Sequence, residues 1–400
     1  MFLAAAALAL APHVFVGGEP RAIVEPAQTS SPCHIRSANA VFLSEGPTDM
    51  ALHVRSTGTL RAVMLFAEFP DAPATESTSA LFETIVPQSQ EWLHEVSHGR
   101  LTFTVDRVDR WYRLPLPSQS YGLEFPTFDS QRAYAEELVK LADAEVDFTP
   151  YDVLLIASPP GARIPLSPTF LAYPGAGIRT NEREVRWGVT FGTDVRVADW
   201  GGRILAHEVQ HMLGLPDLYR FGSLSFPDFI RDAGGWDLMS WIRPGAHDLV
   251  WHKRKLGWVD ESQIVCATTS VEVELRASAS QEGPKAIVMP LDGDTALVAE
   301  VRKPVDRDAK LCDSGVLVYT VDAATATGQG PVVVHAAGTG EDPQTMNRCG
   351  AIYDAAFDAR AGKPSRITQG NIVIDVLSSN ETGARVRVTR GQPRRRAIRH

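Results

Sequence analysis

Apolar and polar positions along this chain fall into two regimes. From Leu60 to Gly192 they predict strands and helices in alternation. LRAVMLFAEFPD, which begins at Leu60, is apolar nearly throughout, as a strand buried on both faces would be. Leu81, Phe82 and Ile85, then Trp92, Leu93 and Val96, recur at helical spacing, and Ser97-His98-Gly99 stops that helix. LTFTVDRVDRWYRLP alternates with period two and predicts one or two strands. Gln131 to Asp143 predicts a second amphipathic helix. Asp152 to Ser158 predicts another buried strand, ended by Pro159-Pro160. Trp187 to Gly192 predicts an edge strand beside a substrate cleft.

With a last helix around His207, this order predicts an α/β (α+β) arrangement in which that helix lies on a mixed sheet. After Leu256-Gly257-Trp258 the pattern changes to short β-rich runs between turns: SVEVEL, AIVMPL, ALVAEV, GVLVYTV, VVVHA and NIVIDVL. That is the signature of an antiparallel β-sandwich. The boundaries read from these shifts are 58–260 for the first domain and 261–390 for the β-rich one. There is no internal repeat.

The flanks are less regular. Phe2 to Ala11 is an apolar run too short to span a bilayer and suited to a signal-peptide core, although no Lys or Arg precedes it. Residues 1–24 are therefore read as a signal peptide and 25–57 as a linker or short prosegment. The mature chain is expected to be secreted, without a membrane span and monomeric. At the other end, 391–400 carry Arg394, Arg395, Arg396 and Arg399, a solvated basic tail.

Composition narrows the class. The chain has 400 residues, 44% hydrophobic and 22% charged, which is ordinary for a globular protein. A formal charge of −9 argues against nucleic acid as a partner. The four cysteines show no CxxC spacing, so no cysteine-rich metal site is expected. Cys312 with Cys349 is the first expected disulfide. Cys33 could silence a precursor by binding its metal, but pairing with Cys266 is the favoured reading.

The chemistry concentrates in HEVQHMLGLPDLY, from His207 to Tyr219. Positions i and i+4 share a helix face, so His207 and His211 can hold one ion, which two neutral imidazoles make zinc. Glu208 between them can take a proton from water activated by that metal. Gly214 can adopt a left-handed conformation and turn the chain back, which delivers Asp217 as a third ligand. Structural calcium has no support, because no EF-hand-like loop is present.

From about residue 60 to 325 the chain resembles the immune inhibitor A family of secreted zinc peptidases, relatives of the metzincins. The resemblance runs in order through VMLFAEFPD, EVSHGRLTFTVDRVDRWYRLP, YDVLLIAS, HEVQHMLGLPDLY, GGWDLMS, KLGWV and EVRKPVDRDAKLCDSGVLVYTVD. It implies a metzincin-like catalytic domain with His207 and His211 as zinc ligands and Glu208 as general base. Asp217 takes the third-ligand position, unless another carboxylate binds and leaves it behind the ligands. Met239 of GGWDLMS then matches the methionine of the Met-turn. Trp241 stands where many relatives have a tyrosine, so the group that stabilises the oxyanion is open among Tyr219, His247 and His252.

The implied activity is a zinc endopeptidase acting on proteins or peptides. The alternatives are a zinc hydrolase of a non-peptide cell-envelope amide or ester, and a non-catalytic binding protein on the same fold. No residue of the sequence identifies substrate-binding positions.

Overall fold

The computed structural model describes residues 14–19, 31–36, 43–311, 313–337 and 355–391. The run Phe2–Ala11, Cys312, Cys349 and the basic tail lie outside the described residues. The protein is mixed α/β, with several sheets and few helices.

In chain order, the first part contains β1 (Val14–Gly17), β2 (Gly58–Glu68), β3 (Leu101–Arg113), β4 (Val153–Ala157) and β5 (Thr169–Ala172). The small ribbon of β6 (Ile178–Arg179) and β7 (Glu184–Val185) follows, then β8 (Trp187–Thr190). Five of these, with β8, form a six-stranded sheet in the order β1-β5-β8-β4-β2-β3. Strand β2 runs parallel to β3 and β4, and β4 to β8, whereas β5 is antiparallel to β8.

The apolar continuity of β2 has a direct cause. Ala62, Met64 and Phe66 enter one core, with the helices Thr78–Ile85, Pro87–Val96 and Ile204–Met212. Val63, Leu65 and Ala67 enter another, under the helix Phe128–Ala142. That helix starts at Thr127, whose side chain exchanges bonds with Ser130 in a capping box. The single helix predicted over 81–96 is two helices. Pro87 lacks a backbone N–H, so the first ends at Val86 and the second starts at Pro87.

Strand β8 is not an edge. It lies between β4 and β5 with all four residues buried. The edge prediction fails because β5, a threonine and three apolar residues without alternation, covers it. Val14–Gly17, inside the expected signal segment, pairs in turn with β5. The 43–57 stretch of the expected linker is packed, with Leu43, Leu52 and Val54 in the core. Two polar groups of this stretch find partners in the helix that follows Leu249: Ser44 O accepts from Lys255 Nζ, and Glu45 faces His252.

The second part contains β9 (Ile264–Cys266), β10 (Val271–Arg276), β11 (Ala286–Pro290), β12 (Thr295–Arg302), β13 (Gly315–Asp322) and β14 (Val332–Val334). β15 (Arg366–Gln369), β16 (Ile372–Ser379) and β17 (Gly383–Arg390) complete it. A five-stranded sheet, β14-β13-β12-β11-β9, is antiparallel except for the pair β9–β11. It faces a four-stranded antiparallel sheet, β10-β17-β16-β15. Ile287, Leu297, Ala299 and Val318 from one meet Leu275, Ile374, Val386 and Val388 from the other, which makes a sandwich.

Its outer face is equally apolar. Val288, Val298, Leu317, Tyr319 and Val321 join the same core as the helix Ile204–Met212. The two parts therefore share one hydrophobic core. Cys33 and Cys266, with sulfurs 2.10 Å apart, tie residues 31–36 to β9. No helix among the described residues is long and apolar enough to cross a membrane.

Candidate metal centre

Every residue of the helix Ile204–Met212 is buried, and His207 and His211 stand one turn apart on it. Their rings lie edge to face, with centroids 4.8 Å apart. The helix ends at Leu213, and Gly214 takes φ +102°, where a side chain would be strained. A Cβ there would also lie 2.7 Å from Thr48, so this turn needs glycine twice over. The chain then folds back over the helix end.

That return brings Asp217 to the imidazoles. Its Oδ1 lies 3.2 Å from His207 Nε2 and 3.3 Å from His211 Nε2. The other ring nitrogens are already engaged. His207 Nδ1 faces Leu238 O at 3.2 Å, and His211 Nδ1 faces Leu215 O at 2.8 Å. A carbonyl only accepts, so each Nδ1 carries the imidazole proton and each Nε2 presents a lone pair. Three acceptor atoms then converge at hydrogen-bond distance, which is stable only with a proton or a cation between them. The buried group His207, His211 and Asp217 can hold a metal ion.

Without an ion, the carboxylate acts on its neighbours. Burial opposes a charge on His211, but Asp217, with help from Glu208, raises its pKa above the ordinary histidine value. Burial opposes the charge of Asp217 too, and the two histidines reverse that, holding it below the usual carboxylate range.

Glu208 is placed by a residue the motif does not contain. Thr169, the first residue of β5, donates its N–H to Glu208 Oε2 at 2.9 Å, and its hydroxyl lies 2.7 Å from the same oxygen. Tyr219 stacks on His207 with ring centroids 6.3 Å apart. Burial first, then the charge of Asp217 and a hydrogen bond to it, push the Tyr219 hydroxyl well above its ordinary pKa.

Met239 is fully buried, and its loop borders the site. Met239 O accepts from Leu218 N at 3.0 Å, and the preceding carbonyl, of Leu238, meets His207. Asp237 shapes the loop, accepting from Met239 N and Leu249 N, each at 2.8 Å. Trp241 packs edge-on against Phe226 at 5.2 Å.

Of the three oxyanion candidates, the structure brings only Tyr219 to the group. His252 lies between Asp237 at 2.8 Å and Glu45 at 2.9 Å. Burial works against its protonation, but those two carboxylates outweigh it and raise its pKa well above the ordinary value. His247 is held by Lys253 Nζ at 3.0 Å. Both are engaged with other partners and serve structure.

The chain matches no protein-family model and no curated protein.

Proposed function

We propose that this protein is a secreted zinc endopeptidase, with His207, His211 and Asp217 as ligands and Glu208 as general base. The observation that carries this reading is the convergence of two lone-pair imidazoles and a carboxylate beside a glutamate on the same helix. Support for zinc comes from spacing. Ligands about 2.0–2.1 Å from a tetrahedral ion lie about 3.3 Å from one another, which matches the 3.2 and 3.3 Å separations here. Two histidines and a carboxylate also leave one of four positions for substrate or water, the donor set of a catalytic rather than a structural site.

When bound, zinc supplies a Lewis acid that lowers the pKa of water towards ~7 and polarises a carbonyl. The rest falls to the chain's own groups. Thr169 fixes the Glu208 carboxylate by one oxygen. Glu208 accepts the proton of the attacking water and returns it to the leaving amine. Tyr219, kept protonated, bonds to Asp217 and would turn its hydroxyl from there to stabilise negative charge on the substrate oxygen. The ligands and Glu208 are each at most 1% exposed, so substrate reaches them only when a covering segment moves.

The test is Glu208→Gln. Its amide oxygen still accepts from Thr169, so folding and bound zinc are expected to persist. Casein cleavage is expected to fall by about 10²–10⁴-fold, and a chelator is expected to stop the wild type. A Gln variant that stays active with zinc bound refutes the mechanism. An inert, zinc-loaded wild type would turn the reading to a non-peptide amide or ester.

A further inference from the structure

The five-stranded sheet of the β-rich part reaches the metal ligands through the loop between β13 and β14. Thr327 Oγ1 accepts from Asp217 N at 2.9 Å and lies 3.4 Å from Asp217 Oδ2. Gly328 N donates to Asp217 O at 3.0 Å, and Phe221 N donates to Gly328 O at 2.9 Å. Thr327 N is itself anchored, donating to Leu43 O at 3.2 Å. Gly328 has φ +71°, and a Cβ on it would fall 2.1 Å from the Phe221 ring, so the two loops approach as closely as a glycine permits.

We infer that Thr327 is a positioning residue for Asp217, one that selects which carboxylate oxygen faces the histidines. This rests on the proposed zinc site. A threonine hydroxyl has one hydrogen to give. With Asp217 N–H donating to its oxygen, that hydrogen points to Oδ2, and Oδ1 is the oxygen turned towards both Nε2 atoms. Thr327 Oγ1 and Gly328 N–H hold the ligand's backbone, and the Thr327 hydroxyl hydrogen fixes its side-chain rotation. Partners of this kind, one bond behind the ligands, set metal affinity as well as geometry. The β-rich part thus supplies a component of the centre and not only a platform for it.

The test compares Thr327→Val and Thr327→Ser in the full chain, well below their unfolding temperatures. Valine keeps the shape and removes the hydroxyl, while serine keeps the hydroxyl. Competition with a chelator of known affinity gives the zinc dissociation constant, and cobalt substitution gives a visible absorption band sensitive to ligand geometry. Zinc binding by T327V is expected to weaken about 10–100-fold with a shifted cobalt band, and T327S is expected to behave like the wild type. If T327V does not fold, Thr327→Ala is measured in its place. A hydroxyl-free variant with wild-type affinity and an unchanged band overturns the inference. So does a T327S as weak as T327V, because packing would then be the cause. A wild type that takes up neither metal overturns the zinc site and this inference with it.

Discussion

Two sets of buried polar side chains lie in one core and are completed differently. Around Arg302 each group finds its partner inside the protein. Its five N–H donors meet both Asp308 oxygens, Glu300 Oε1 and the carbonyls of Trp236 and His247. Glu300 Oε2 accepts from Val250 N and from the Tyr319 hydroxyl, each at 2.7 Å. Around Asp217, by contrast, two imidazole nitrogens and one carboxylate oxygen converge on one point. The first set locks β12 to residues 236–250, which carry the Met239 loop. The second joins the helix Ile204–Met212 to the turn that follows Gly214. Burial of charge therefore does not by itself separate the two sets; among the described residues only the second is a group that could hold a metal ion.

The largest effect should come from breaking the lock. Arg302→Met leaves Asp308 and Glu300 buried without their cation, and losing one partner of a buried pair costs about 3–5 kcal/mol. Urea unfolding in chelator should show that loss. Under the same conditions His211→Leu should cost less, because His207 stays 3.2 Å from the same Asp217 oxygen as a remaining partner. Equal losses in the two variants would erase the distinction between lock and centre.

Metal removal sharpens the comparison from the other side. At free zinc about 1,000-fold above its dissociation constant, binding to the folded state adds about 4 kcal/mol. Chelation should lower the wild type's stability by that amount and leave H211L nearly unmoved. R302M, whose defect lies elsewhere, should still gain stability from zinc. Thermal melts with and without the ion check all three.

The two sets also differ in how far sequence reveals them. His207, Glu208 and His211 are legible because a helix repeats its face every four residues, and Asp217 because Gly214 announces the turn. Thr169 and Thr327 are illegible for the opposite reason. They lie 39 and 110 residues from their partners, and only the tertiary fold pairs them. The same limit explains the sheets. The runs of β2, β4, β12 and β13 are long enough to carry a pattern. β5 offers only a threonine and three apolar residues with no alternation, so β8 reads as an edge when its neighbour goes unseen. Glu300 and Arg302 carry no local signal of their burial, because nothing in the run ALVAEV shows that both faces of that sheet are covered.

His53 tests the comparison with a third kind of buried group, one whose burial favours the neutral form. It is 3% exposed, with Nδ1 2.9 Å from Asp49 O. Burial, opposed by that bond and assisted by the charge of Lys255, lowers its pKa from 6.5 to about 4. The sign follows. As pH falls below the unfolded value of ~6.5, the unfolded chain takes a proton that the folded chain refuses, so stability is intact above that pH. It is lost between there and about 4. At ~1.4 kcal/mol per unit, the loss at pH 5 is about 2 kcal/mol. His53→Leu has no proton to bind and escapes it. The measurement is urea unfolding at pH 7 and pH 5 for both chains, in chelator so that any metal at the proposed site does not contribute. The stability difference between them should move by about 2 kcal/mol in the variant's favour on acidification. A difference independent of pH would mean that His53 is protonated inside the fold, and that its burial needs a counter-charge of the kind His252 has in Asp237 and Glu45.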